Sequence, residues 1–409
     1  MILHFKVVFK IKKIFILIMI IVVLFCGCTQ NAMIPEIKES STSISRENKD
    51  IVKSVWFTYY ELSAMIKGKS EADFASEIDV AFKKVNEMGF NTVTVQVRAF
   101  ADAFYISSYF PTSDYIVEKQ GEDISFDPLT VMCETAKKYK LKIEAWINPY
   151  RVSHSNNIKS LSNNNVAKKW LNTKKKKSNI YICDSGIYFN PASSEVTKLI
   201  VKGVKEIVEN YDISAIHFDD YFYPSTDKEI DNVQYKKEGG NKPLADYRRD
   251  KVNYMIKSVY KIIKSTNKNV RFGISPAADI RNDYNNLYAD VEKWASEEGY
   301  CDYICPQVYF GFRNVYQPFM FTVKKWMSFT NKDLYIGLPL YKAGNPDKYA
   351  AKNDKSIINE FKNNSDIISR QITYLSKLDD IDGFYIFSYS SLSENRCMKE
   401  VENMLKVMP

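Results

Sequence analysis

The segment Ile216-His217-Phe218-Asp219-Asp220-Tyr221-Phe222-Tyr223-Pro224 joins two adjacent carboxylates to a run of aromatic rings. Neighbouring acids rarely serve packing, because a buried carboxylate is costly unless it is paired or hydrogen-bonded. They suit glycoside cleavage, in which one carboxylic acid protonates the leaving oxygen and one carboxylate attacks or activates water. The plainer alternative is that Asp219 or Asp220 locks its own loop through backbone N–H groups. Adjacent side chains on an extended strand point to opposite sides. A partner acid is therefore expected at another strand end, and Glu61, Asp102 and Asp279 are the candidates. A carboxylate close to others, or to Trp146, holds its proton more tightly, as a general acid near neutral pH must.

Such acids need a scaffold that brings distant strand ends together. From position 52 onward, eight short segments rich in Val, Ile, Phe and Tyr recur: 52–62, 91–99, 142–149, 215–222, 271–277, 303–310, 334–340 and 383–389. Between them, apolar residues return at helical intervals over 71–88, 128–138, 194–209, 244–265, 289–299 and 367–378, giving one buried face each. Eight strand-and-helix units over residues 51–409 predict an α/β fold, a (β/α)8 TIM barrel. The polar stretches 100–127, 150–193 and 223–243 each follow a strand. Loops in that position gather at the C-terminal face of a barrel, where they build a cleft.

Alternation along barrel strands separates residues facing the axis from those facing the helices. It predicts an inward set of Thr94, Gln96 and Arg98, then Glu144, Trp146 and Asn148, then His217 and Asp219, then Gln307 and Tyr309. So many polar groups inside a barrel require mutual hydrogen bonds or a ligand. Arg98, Asn148, Asp219 and Tyr309 sit nearest the strand ends, whereas Gln96 and Glu144 lie deeper, Glu144 as a structural partner of Arg98. Arg98 and Arg151 are suited to gripping hydroxyls or a carboxylate in a planar fork. Trp146, Tyr150, Tyr221, Tyr223, Tyr309 and Tyr389 fall near strand ends, where flat rings stack on sugar faces. The predicted catalytic set is Asp219, Asp220, Glu61 and Asp279. The substrate-binding set is Arg98, Glu144, Trp146, Asn148, Tyr150, Arg151, His217, Tyr223, Gln307, Tyr309 and Tyr389.

Residues 1–28 begin with a basic stretch, continue through the apolar run Ile14 to Phe25 and end in Cys26-Gly27-Cys28. This is the layout of a secretory signal of lipoprotein type, with Cys28 as the lipidated residue. The apolar run is too short for a bilayer-spanning helix. Residues 29–50 are polar and Ser-rich, a flexible tether. The expected location is extracytoplasmic, membrane-anchored through the lipid or, alternatively, secreted.

The formal charge of +8 falls to +4 without Lys6, Lys10, Lys12 and Lys13 of the signal, too mild an excess to argue for nucleic acid. Lys174 to Lys177 read as a solvated loop. Cys133, Cys183, Cys301, Cys305 and Cys397 have no framework spacing. With only His154 and His217 beyond the signal, a histidine-rich metal centre is excluded; no metal or cofactor is expected, although carboxylate-bound Ca2+ or Mg2+ stays open. A Schiff-base lysine has one candidate, Lys342, in a loop-like setting.

Several segments in fixed order resemble the glycosyl hydrolase-like family 10 of bacterial envelope proteins. They are Ser54-Val55-Trp56-Phe57, Asn91 to Arg98, Glu144-Ala145-Trp146-Ile147-Asn148-Pro149-Tyr150-Arg151, His217 to Pro224 and Gly273-Ile274-Ser275-Pro276. The likeness runs over about residues 52 to 392. It implies a (β/α)8 barrel and hydrolysis of glycans, for some members peptidoglycan strands stripped of stem peptides. It also implies Asp219 or Asp220 as acidic residues, with Arg98, Asn148 and Arg151 in the pocket. The competing expectation is a glycan-binding or scaffolding lipoprotein without turnover.

Overall fold

The computed structural model describes residues 51–408. The predicted signal, Cys28 and the tether lie outside them. Eight parallel strands close on themselves: β1 (Val52–Phe57), β2 (Thr92–Arg98), β3 (Lys142–Ile147), β4 (Ala215–Phe218), β5 (Arg271–Ile274), β6 (Tyr303–Ile304), β7 (Asp333–Leu338) and β8 (Gly383–Ile386). β1 pairs with both β2 and β8, which completes the ring. This is the predicted TIM barrel. Among the described residues no helix is long and apolar enough to cross a membrane.

The outer helices form where apolar periodicity requires them. The helix Glu71–Glu87 buries Phe74, Ile78, Ala81, Phe82 and Val85 and starts with a capping box between Ser70 and Asp73. Removing one such large buried side chain typically costs about 2–5 kcal/mol. Ser194–Asn210 and Leu244–Thr266 follow the same logic. The helix Phe319–Met327 between β6 and β7 is an addition to the expected elements; it buries Phe319, Thr322, Val323 and Trp326.

Every strand is shorter than predicted, β1 and β6 most of all. β1 stops at Phe57 because Thr58 caps a new helix, Tyr59–Ile66, accepting the Glu61 N–H while Glu61 bonds back to the Thr58 N–H. β6 keeps only Tyr303 and Ile304, and Gln307 makes isolated bridges to Ala277 and Gly337.

The long loop after β3 carries its own antiparallel sheet of Arg151–Ser153, Gly186–Phe189 and Ile180–Cys183. Gly186 makes the tight approach possible. Its φ is +134°, and a Cβ there would stand 2.2 Å from the Ser153 carbonyl oxygen. The loop after β4 is clamped by a buried fork in which Arg248 donates to both oxygens of Asp231, at 2.8 and 2.7 Å.

Candidate active site

A cleft of about 330 Å³ opens at the C-terminal ends of the strands, the face where barrels carry their chemistry. β4 supplies His217 and the segment after it Asp219, Asp220 and Tyr221; β3 and its loop supply Trp146 and Arg151; Ser275 follows β5, Gln307 and Tyr309 follow β6, and Phe387 follows β8. The chain leaves the regular strand after Phe218. Strand alternation therefore no longer governs the next two residues, and Asp219 and Asp220 both line the cleft instead of parting to opposite sides.

Asp219 is 3% exposed. Its Oδ2 accepts the Trp146 indole N–H at 2.9 Å and its Oδ1 accepts the Tyr221 backbone N–H at 3.3 Å. Burial, then the like charge of Asp220, pushes its pKa up to about 8. Asp220 is partly open, and burial moves it upward too. Two neighbouring buried acids that cannot both ionise cheaply favour keeping a proton between them, which equips the pair for acid chemistry. Arg151 lies between the rings of Phe100 and Tyr221, 4.5 and 4.4 Å from their centroids, and its charge favours the ionised form of both aspartates.

Beneath the acids lies a buried polar plug. The Trp56 indole N–H donates to His217 Nε2 at 3.3 Å, so Nδ1 carries the hydrogen toward the Tyr303 hydroxyl at 3.0 Å. Burial pushes His217 down to about 3, leaving a neutral imidazole. Glu144 accepts from the Thr94 and Tyr385 hydroxyls at 2.8 and 2.9 Å, and burial drives it upward. Gln96 reaches the cleft, accepting the Tyr59 N–H at 3.0 Å and donating to Asn148 Oδ1 at 2.7 Å. Asn148 and Glu144 thus support the lining from behind; neither lines it.

Several predicted residues stand elsewhere. Arg98 faces the helices because a register shift between Gln96 and Arg98 reverses the alternation at the end of β2. Its guanidinium lies 4.2 Å from the Phe110 ring and against Gly203 of the helix Ser194–Asn210. It is neither a pocket residue nor the partner of Glu144. Glu61 is consumed by its cap and by Ser388 Oγ and the Ser390 N–H, at 2.7 and 2.6 Å. Asp279 caps the helix Ile280–Asn285 and lines a separate hollow with Tyr316 and Phe321. Asp102 is buried on Gln120, with burial lifting it to about 7. Tyr150 is fully buried away from the cleft. The Tyr223 hydroxyl donates to Asp231 at 3.0 Å, and Tyr389 stacks on Phe57 at 4.4 Å; both are packing residues.

Trp56, Thr58, Tyr59, Tyr60, Ser275 and Phe387 also line the cleft, beyond the predicted site residues. Trp56 was accessible to the alternation rule through Ser54, its inward neighbour two positions earlier. Thr58-x-x-Glu61 carries the capping-box spacing that marks the helix presenting Tyr59 and Tyr60.

An eight-stranded parallel barrel with two acids and several aromatic rings at its C-terminal mouth defines a (β/α)8-barrel protein with a candidate active site on the face where such barrels carry one. The chain belongs to the Glycosyl hydrolase-like 10 family, whose model matches residues 52–355. It is 34% identical over 365 residues to Glycosyl hydrolase YngK of Bacillus subtilis, covering 80% of this chain and 66% of that protein. It is also 34% identical over 296 residues to Glycosyl hydrolase DigH of Escherichia coli K12, covering 64% of this chain and 65% of the relative. The chain therefore spans just under two thirds of the length of these relatives. Among solved structures it is similar in fold to the PgaB (BpsB) glycoside hydrolase domain of Bordetella bronchiseptica, with a TM-score of 0.56 at 11% identity over 86% of this chain and 98% of that one. The α-L-fucosidase isoenzyme 2 of Paenibacillus thiaminolyticus follows at 0.54 and 11%, over 87% and 49%.

Proposed function

We propose that this chain hydrolyses the glycan of a bacterial cell wall, with denuded peptidoglycan strands as the first substrate to try, by acid and base chemistry of Asp219 and Asp220. The observation that carries the reading is the pair itself: two carboxylates share one aromatic-walled cleft, where burial pushes both toward the protonated form. Trp146, Tyr221 and Tyr309 offer rings to sugar faces, while Gln307 and Arg151 offer donors to hydroxyls. The expected setting is outside the cytoplasm, with residues 1–28 directing export and Cys28 carrying the lipid.

The test uses purified residues 29–409 on denuded strands, with reducing ends as the readout. Wild-type protein is expected to release them. Asp219→Asn and Asp220→Asn are expected to lower kcat by at least ~100-fold while strand binding changes far less. Strand binding by the wild type with no turnover across a glycan panel would replace this reading with that of a glycan-binding envelope protein.

A further inference from the structure

The two acids do not bracket the cleft. They are successive residues at the end of one strand, and the walls facing them are of another character. The segment after β8, which lies four strands from β4 round the barrel, contributes Phe387, and β1 and the cap that follows it contribute Trp56 and Thr58. Among the described residues lining the cleft, Asp219 and Asp220 are the only carboxylates. A double displacement needs an enzyme nucleophile on the side of the anomeric carbon opposite the leaving group, and inversion needs a base there for water. Two neighbouring side chains approaching from one wall leave that opposite side without either.

A nucleophile supplied by the substrate removes the difficulty. The cleft has a place for one: Phe387 packs with Trp56, Trp146 and Tyr309 at centroid distances of 6.0, 6.5 and 5.8 Å. All four rings line the cleft, and Trp146 donates to Asp219, so an apolar wall that suits a methyl group stands beside that carboxylate.

Resting on the glycan reading above, we propose that the cleft cleaves 2-acetamido glycosides by participation of the substrate's own acetamido oxygen, with Asp219 orienting that group and Asp220 acting as acid and then base. Asp219 is the deeper residue, and Trp146 fixes its angle. Asp220 is the more open, where a leaving oxygen and water have access. When the acetamido N–H donates to Asp219 it favours the ionised carboxylate there, and the proton of the pair resides on Asp220. The acetamido carbonyl oxygen then bonds to the anomeric carbon as the bond from that carbon to the leaving oxygen breaks, and the Asp220 proton passes to the leaving oxygen. The cyclic oxazolinium keeps its N–H on Asp219. Water next attacks the anomeric carbon, gives its proton to Asp220 and reopens the ring, restoring the acetamide. One water is consumed and the anomeric configuration is retained.

The test changes only the nucleophile. Denuded strands are chemically de-N-acetylated and re-acylated with acetyl or with trifluoroacetyl groups, and the wild-type protein is assayed on both. Fluorine withdraws electron density from the carbonyl oxygen, so kcat on the trifluoroacetyl strand is expected to fall at least ~100-fold while KM moves only a few-fold. Proton NMR of the first-formed product is expected to show retention. Equal kcat on the two strands, or an inverted product, overturns the proposal and leaves the glycan reading standing. Failure to cleave the acetyl strand removes the glycan reading and this proposal with it.

Discussion

Asp219 is predicted to weaken the fold at neutral pH, and replacing it by asparagine to strengthen the fold while abolishing turnover. Its pKa is pushed up to about 8 in the folded chain from the ordinary aspartate value of 3.8, so the native state binds the proton more tightly than the unfolded chain. Stability from such a group is fully present below the unfolded value and is lost as pH rises through the folded one. Each pH unit between the two removes about 1.4 kcal/mol, so the ceiling on the loss by pH 7 is about 4 kcal/mol. Asparagine does not titrate; its side-chain carbonyl still accepts the Trp146 N–H, while its amide group replaces the oxygen that accepts from Tyr221, at a cost of about 1 kcal/mol. Asp219→Asn is expected to lie about 1 kcal/mol below the wild type near pH 4 and to exceed it by up to about 3 kcal/mol at pH 7. Urea unfolding at half-unit pH steps measures the gap, and reducing-end release on the same samples measures turnover. A gap that stays constant with pH, or a variant less stable than wild type at pH 7, would refute the account of Asp219 as a buried, proton-holding acid.

Trp146→Phe keeps the ring and removes the N–H that favours ionised Asp219. The alkaline limb of kcat/KM is expected to move up by about one pH unit, a hydrogen bond to a charged group being worth about 1.5–3 kcal/mol, and an unmoved limb would dissociate Asp219 from the working pair. Arg98→Met tests the outward placement of the guanidinium: denaturant unfolding should show a loss of about 1–3 kcal/mol, with KM of the folded protein unchanged. Gly203→Ala puts a methyl 2.4 Å from Arg98 Nη1 and 2.6 Å from the Phe110 ring, with an expected cost of about 1–3 kcal/mol and no change in kcat. Glu61→Gln should lower stability by about 1 kcal/mol through its weakened cap and leave kcat within twofold, whereas a large fall in kcat would return Glu61 to the catalytic set.

The barrel was legible because each helix face and each strand buries what its periodicity demands. Phe74, Ile78, Ala81, Phe82 and Val85 spell one stripe, and Val93, Val95 and Val97 alternate with Thr94 and Gln96. The site was legible where alternation persists to the strand end, as for Trp146 and His217. It failed where the backbone departs from the strand. One extra residue at the end of β2 turned Arg98 outward, and a cap at Thr58 converted the expected end of β1 into a helix. Glu61 and Asp279 sit in helix caps, and a cap uses the same carboxylate that acid chemistry would, so residue type alone does not separate the two roles. Tyr150, Tyr223 and Tyr389 show the corresponding ambiguity for rings: position near a strand end does not say whether a ring faces the ligand or the shell of helices.

These departures and the site have one cause. An ideal barrel strand alternates, so it offers the mouth one side chain in two, and it cannot present consecutive acids to the same cavity. The chain must break register after Phe218 for Asp219 and Asp220 to meet there, and must leave β1 at Thr58 for Tyr59 and Tyr60 to reach the rim. The hydrogen bonds lost by ending a strand early are recovered locally: the Ser275 N–H reaches back to Phe218 at 2.7 Å, the Tyr221 N–H caps Asp219, and the Thr58 N–H finds Glu61. Each broken register thus carries its own compensation, and that compensation fixes the orientation of the acids. A substitution that restored regular strand pairing past Phe218 would be expected to part Asp219 from Asp220 and to remove activity without unfolding the barrel.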